Sequence, residues 1–253
     1  MSDKFIKGSC YLCIFLAGCA TYNTATQRNE VIFVSTPSEV AMGKSASTQI
    51  CSQNKIIDDT PEGKRVQSIG ARVARVSDRQ DFQYHFHLID SDEINAFTVP
   101  GGHIYFYTGL LRRLHTDDQI AAVLAHEIGH CAAKHTIKKF QAALGYHVAR
   151  NVVVNILVWK APMVQSVAGL GGDAVMRLAT SAYSRRDESE ADKLGIKYLY
   201  LAGFDLNGMI QMFDILQEAT KGDHTPLILR THPFLKDRIT AARKEIEAVG
   251  RKY

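Results

Sequence analysis

Much is missing from these 253 residues, and each absence narrows what the chain can be. No apolar run approaches the roughly 20 residues that a membrane-spanning helix needs. The longest candidate, Val152-Val153-Val154-Asn155-Ile156-Leu157-Val158-Trp159, is flanked by Arg150 and Lys160 and followed by Pro162. It reads as a buried or lid-forming helix, or as a contact with a membrane surface or partner, but not as a span. There is no long basic block either. The 30 basic and 26 acidic residues leave a net charge of only +4, spread along the chain, so no nucleic-acid partner is expected. No internal repeat marks a solenoid. Nor is apolar content short: 46% hydrophobic against 22% charged residues is ordinary globular composition, at a length that suits one domain.

The N-terminus carries the first positive signal. Lys4 and Lys7 precede Tyr11-Leu12-Cys13-Ile14-Phe15-Leu16, and small residues follow at Ala17-Gly18-Cys19. Positive charge, a short apolar core and a small-residue cut site read as an export signal. Leu16-Ala17-Gly18-Cys19 also resembles the lipobox of bacterial lipoproteins, in which the cysteine is acylated and becomes the new N-terminus; a plain secretory signal cut nearby is the alternative. The resemblance implies a signal at 1–18 and a lipid on Cys19; the polar composition that follows suits a tether over 19–37, ahead of a domain over 38–253. Ala20, rather than Asp, follows the cysteine, which by the same resemblance favours the outer membrane, facing the periplasm. Cys51 and Cys131 would then be the cysteines left, either paired or as buried thiols.

Beyond the tether, Val66, Ile69, Val73 and Val76 recur at helical steps. Tyr84, Phe86 and Leu88, then Ile104 and Phe106, alternate as strands do, with Pro100-Gly101-Gly102 breaking the chain between them. Thr116-Asp117-Asp118-Gln119 reads as a capping box opening a helix, with two acids in its first turn to suit the dipole.

That helix runs into His126-Glu127-Ile128-Gly129-His130. Four residues advance a helix by about 400°, so the two imidazoles stand roughly 40° apart on one face, about 6 Å along the axis. Both can reach one tetrahedral ion, neutral imidazole is a preferred zinc ligand, and Glu127 sits where it can handle a water on the metal. A catalytic zinc takes three protein ligands. Gly at 133 and His at 136 would mark the metzincin type; Ala133 and Thr136 stand there instead and exclude it. On a continuous helix His135 lies about 140° from His130 and points elsewhere. A carboxylate from a later helix remains. In Tyr183-Ser184-Arg185-Arg186-Asp187-Glu188-Ser189-Glu190-Ala191-Asp192, Glu188 and Asp192 share a face and Glu190 points about 160° away from Asp192. One could ligate while the other orients an imidazole, or the whole could be a solvated charged helix.

Four motifs occur in order: Asn95-Ala96-Phe97 ahead of Pro100-Gly101-Gly102, the HEIGH segment, Glu188 with Asp192, and Thr231-His232-Pro233 ahead of Arg238. Over roughly residues 40–245 the chain resembles the M-48 zinc metallopeptidases, the HtpX- and BepA-like group, and in particular its soluble lipoproteins. The resemblance implies an α+β, mostly helical, zincin-like (gluzincin) fold in which the active-site helix packs a small antiparallel sheet. It implies one zinc on His126, His130 and Glu188, with Glu127 catalytic and Asp192 behind the ligands, sometimes described as a proton donor. His232 could take a fourth position and hold the enzyme off, support the transition state, or be a loop histidine of structural use. Asn95, Ala96 and Phe97 would form an edge strand to which extended polypeptide adds, Asn95 being otherwise a turn residue. Arg238 is expected to anchor the His232 loop to an acid.

The residues point to zinc metalloendopeptidase chemistry, and the resemblance implies that it acts on misfolded or damaged envelope proteins. Its partners would be unfolded or misassembled polypeptide, the membrane through the lipid anchor, and outer-membrane assembly machinery. A chaperone or assembly factor with little or regulated proteolysis is the alternative from another class, and a degenerate scaffold a third.

Overall fold

The computed structural model describes residues 20–143, 177–178, 180–221 and 225–253. The expected signal at 1–18, Cys19 and the apolar stretch 152–159 lie outside them. Among the described residues no helix is long and apolar enough to cross a membrane.

The polar stretch expected to be a tether is folded over most of its length. Strands β1 (Ala20–Asn23) and β2 (Arg28–Val31) pair antiparallel. Their ties to the body are polar: Arg28 Nη2 donates to Glu190 Oε1 at 2.5 Å, Lys138 Nζ to Glu30 Oε1 at 2.7 Å, and Gln141 Nε2 to Val31 O at 3.0 Å. Such cross-links to residues far along the chain leave no periodic trace in the sequence.

Two capped helices follow, α1 (Thr36–Gln53) and α2 (Pro61–Ala74). Ser35 and Thr60 accept from backbone N–H groups in the first turn, and a proline early in each helix occupies a place that needs no donor. The apolar stripe of α2, with Val66, Ile69 and Val73, is buried as its spacing predicts.

The sheet is mixed rather than antiparallel. Its order is β3 (His85–Ile89), β5 (His103–Tyr107), β4 (Ala96–Val99). Gly101 and Gly102, at φ 74° and 81°, turn β4 back into β5, a backbone that side-chain-bearing residues resist. β5 therefore runs antiparallel to β4, and by inserting between β4 and β3 it runs parallel to β3.

Against this sheet lies α3 (Asp117–Ala132), buried from Gln119 to its end. Thr116 accepts from Gln119 N at 3.3 Å, while the Gln119 side chain reaches back to His115 N at 2.7 Å. α4 (Arg185–Ala202) crosses it, opened by a full capping box of Ser184 and Asp187; α5 (Asn207–Ala219) and α6 (Leu235–Lys252) complete the layer. Small residues set the closeness of the α3–α4 crossing. A Cβ on Gly129 would stand 2.7 Å from Ala191 O, and one on Gly195 3.2 Å from His126 N. The architecture is the expected one: α+β and mostly helical, with the histidine-bearing helix at its centre.

Candidate functional site

The α3–α4 crossing brings the HEIGH segment against Glu188 and Asp192. His126 Nε2 and His130 Nε2 are 3.1 Å apart. Glu188 Oε1 lies 3.4 Å from His130 Nε2, and Oε2 lies 3.7 Å from His126 Nε2. Glu188 is fully buried, so it does not lie on a solvated face. The loop after a short helical turn, Leu227–Thr231, adds His232, whose Nδ1 is 3.0 Å from Glu188 Oε1 and 3.1 Å from His126 Nε2. Ligand atoms of His126, His130, Glu188 and His232 all lie within 4.8 Å of one another, a set that could hold a metal ion. Two atoms bonded at 2.0–2.1 Å to one tetrahedral zinc stand roughly 3.3 Å apart, close to the separations seen here. Two imidazoles, a third imidazole and a carboxylate are also a donor set that zinc takes.

Electrostatics suits a cation. Burial pushes His130 well below the ordinary histidine range, leaving it neutral, which is the ligating form. Burial opposes the charge on Glu188, yet His232 and Arg238 beside it hold its carboxyl far below the usual range. Both Glu127 oxygens are buried without a hydrogen bond. His232 Nε2 lies 3.3 Å from Glu127 Oε1, but the two are not aligned as a hydrogen bond.

Around this cluster stands a buried frame. Asp192 Oδ1 is 2.8 Å from His126 Nδ1. Arg238 donates from Nε and Nη2 to Asp192 at 2.8 and 2.7 Å, and from Nη1 to the His232 carbonyl at 3.3 Å. That anchors the His232 loop to an acid, as its place after the Thr231-His232-Pro233 motif suggested. Its Nη1 is also 2.5 Å from Glu188 Oε2.

Two residues were not foreseen. Tyr183 lays its ring on His130 at 3.8 Å between centroids and ties its N–H to Thr231 O. His135, which a continuous helix would turn away, has its Nδ1 3.0 Å from His130 Nδ1. The helix is not continuous: α3 ends at Ala132, Lys134 takes φ 58°, and helix resumes at 135, so the chain is redirected within two residues.

Ala96 and Phe97 lie in β4, an edge of the three-stranded sheet, with Asn95 just ahead. All three are buried, with Ala96 at 0% and Phe97 at 2% exposure, so this edge is not an open ledge in the state observed. Asn95 Oδ1 has no hydrogen-bond partner.

A model described as Peptidase family M48 matches residues 61–246. The chain belongs to this family. It is 30% identical to the beta-barrel assembly-enhancing protease of Escherichia coli (strain K12) over 211 residues, 81% of this chain and 43% of that one. To metalloprotease LoiP of the same strain it is 29% identical over 187 residues, 74% of this chain and 71% of LoiP. To the mitochondrial metalloendopeptidase OMA1 of Schizosaccharomyces pombe it is 29% identical over 171 residues, 66% of this chain and 48% of that one. The chain thus spans less than half the length of the assembly-enhancing proteases it matches. In this M48 chain Cys51 and Cys131 are both free. Burial pushes the Cys131 thiol up to about 12, so it offers no thiolate at neutral pH.

Proposed function

We propose that this chain is a zinc-dependent metalloendopeptidase, anchored by a lipid on Cys19 in the cell envelope, on the periplasmic face of an outer membrane. It acts there on unfolded or misassembled polypeptide. The observation that carries the reading is the convergence of His126, His130 and Glu188, from two helices, on a space of one cation's size, with Glu127 beside them.

His126, His130 and Glu188 would hold the zinc. When bound, it supplies Lewis acidity, bringing a water's pKa to about 7 and polarising a carbonyl. Asp192 holds His126 by its Nδ1–H and keeps Nε2 turned inward as a lone-pair donor. Glu127, whose oxygens have no other hydrogen-bond partner, takes the proton of the attacking water and passes it to the leaving amine nitrogen. Extended substrate adds along β4, where main-chain bonds give affinity with little sequence preference. His232 within ligand range and the covered β4 edge support a resting state that is switched off, which suits a protease acting among folded envelope proteins. The name of the assembly-enhancing relative supports a place beside outer-membrane assembly machinery.

Casein cleavage and zinc content of purified variants test the proposal together. Glu127→Gln should keep one zinc per chain and lose about 10²–10⁴-fold in rate. Glu188→Ala should lose zinc and cleavage alike, and His232→Ala should cleave faster than wild type. Glu127→Gln cleaving at the wild-type rate would end the proposal. Binding of unfolded protein with no cleavage by any variant would favour the chaperone class.

A further inference from the structure

The two histidines of the HEIGH segment are held in different ways. His126 turns its Nδ1 to a carboxylate, Asp192. His130 meets no carboxylate there; its Nδ1 faces His135 Nδ1 at 3.0 Å. Behind it, His135 Nε2 is 3.1 Å from Glu190 Oε2, and Glu190 Oε1 accepts from Arg28 Nη2 at 2.5 Å. His135 is buried. Glu190 could not reach His130 itself, because two residues along α4 from Glu188 it leaves from the far side of the helix.

One placement of hydrogens satisfies the whole series. His130 Nε2 faces His126 and Glu188, so a cation there takes that lone pair and the ring hydrogen sits on Nδ1. His135 Nδ1 then accepts, its Nε2 carries the hydrogen and donates to Glu190, and Arg28 closes the other carboxylate oxygen. Run the other way, the series would put a hydrogen on the nitrogen that faces the cation.

We propose that His135, backed by Glu190, is a positioning residue for His130, an imidazole standing where His126 has a carboxylate. The Lys134 backbone turn is what delivers it. The proposal rests on the metallopeptidase reading above and adds that α3, the segment after it, α4 and the β1–β2 hairpin share in holding one ligand.

Zinc affinity, measured by competition with a chromophoric chelator, tests this without reference to activity. Against wild type, His135→Ala should bind zinc about 10–100-fold more weakly, with a shifted absorption spectrum when cobalt replaces zinc. His135→Asn, whose Oδ1 can accept from His130 Nδ1, should recover most of the affinity. His135→Ala binding as tightly as wild type overturns the proposal, as does a folded His135→Asn as weak as His135→Ala. Should His135→Ala fail to fold, Glu190→Ala decides: it leaves the imidazole in place and must lose affinity, or the proposal falls. A wild-type chain that binds no zinc removes this inference and the metallopeptidase reading together; zinc binding indifferent to His135 and Glu190 removes this one alone.

Discussion

Arg79 shows how much a single side chain holds together. Its guanidinium donates to Glu39 Oε1 and Oε2 at 3.1 and 2.5 Å, to Asp81 Oδ1 at 3.0 Å and to Cys131 O at 3.0 Å, and lies over the Phe82 ring. The Cys131 carbonyl belongs to the last turn of α3, so the same group that joins α1 to the core also satisfies an end of the histidine-bearing helix. Arg79 and Glu39 are both buried, and removing one member of a buried ion pair strands the other charge. Arg79→Met should therefore cost about 3–5 kcal/mol in urea denaturation. Arg79→Met combined with Glu39→Leu should recover a good part, because two apolar groups leave no charge behind. A single-variant loss as small as that of an exposed ion pair, under about 1 kcal/mol, would show the pair to be dispensable.

Between elements, the α3–α4 crossing governs the site. An added methyl on Gly129 meets backbone, Ala191 O at 2.7 Å, and backbone cannot rotate aside. Gly129→Ala should destabilise the fold by about 1–3 kcal/mol, as overpacking does, and weaken zinc binding in the molecules that fold. Gly250→Ala is the control: nothing stands within 4 Å of its Cβ, so it should leave zinc binding alone and leave stability equal or higher. Equal zinc affinity in Gly129→Ala and wild type would mean that the crossing distance does not set the ligand geometry. The same crossing explains what the sequence made legible. The His126–His130 and Glu188–Asp192 spacings are local helix geometry, readable wherever the helix is intact. His135 was not readable, since Lys134 adopts its left-handed backbone without the glycine or asparagine that would announce it. The direction of β3 relative to β5 escaped too, because strand pairing is a long-range choice that alternation does not encode. So did the β1–β2 hairpin, held by Arg28, Lys138 and Gln141 rather than by any apolar pattern of its own.

At the scale of the molecule, pH also acts on stability through groups outside the candidate metal site. His85 and His87 of strand β3 stack against His103 of the central strand β5, with centroids 4.6 Å apart for His85–His103 and 5.7 Å for His87–His103. Burial, then the neighbouring His85 and His87, push His103 down to about 4, and His85 is lowered in the same way by burial and His87. A histidine whose folded pKa lies below its unfolded value of about 6.5 stays neutral in the native state while the unfolded chain takes up a proton. Its contribution is therefore complete above about pH 6.5 and lost as pH falls towards 4. The carboxylates that the fold depresses, Glu30, Asp81 and Asp192 among them, act in a lower window, beginning near their unfolded values of about 4. Between pH 6.5 and 5 His103 and His85 are thus separable from the acids. In zinc-free protein, the wild-type melting temperature should fall more steeply over that interval than that of His103→Gln, whose amide does not titrate. Taking the difference between the two chains cancels the histidines of the metal cluster, which both retain. Parallel slopes would mean that His103 has the same proton affinity folded and unfolded, and that acid instability in this range comes from elsewhere in the molecule.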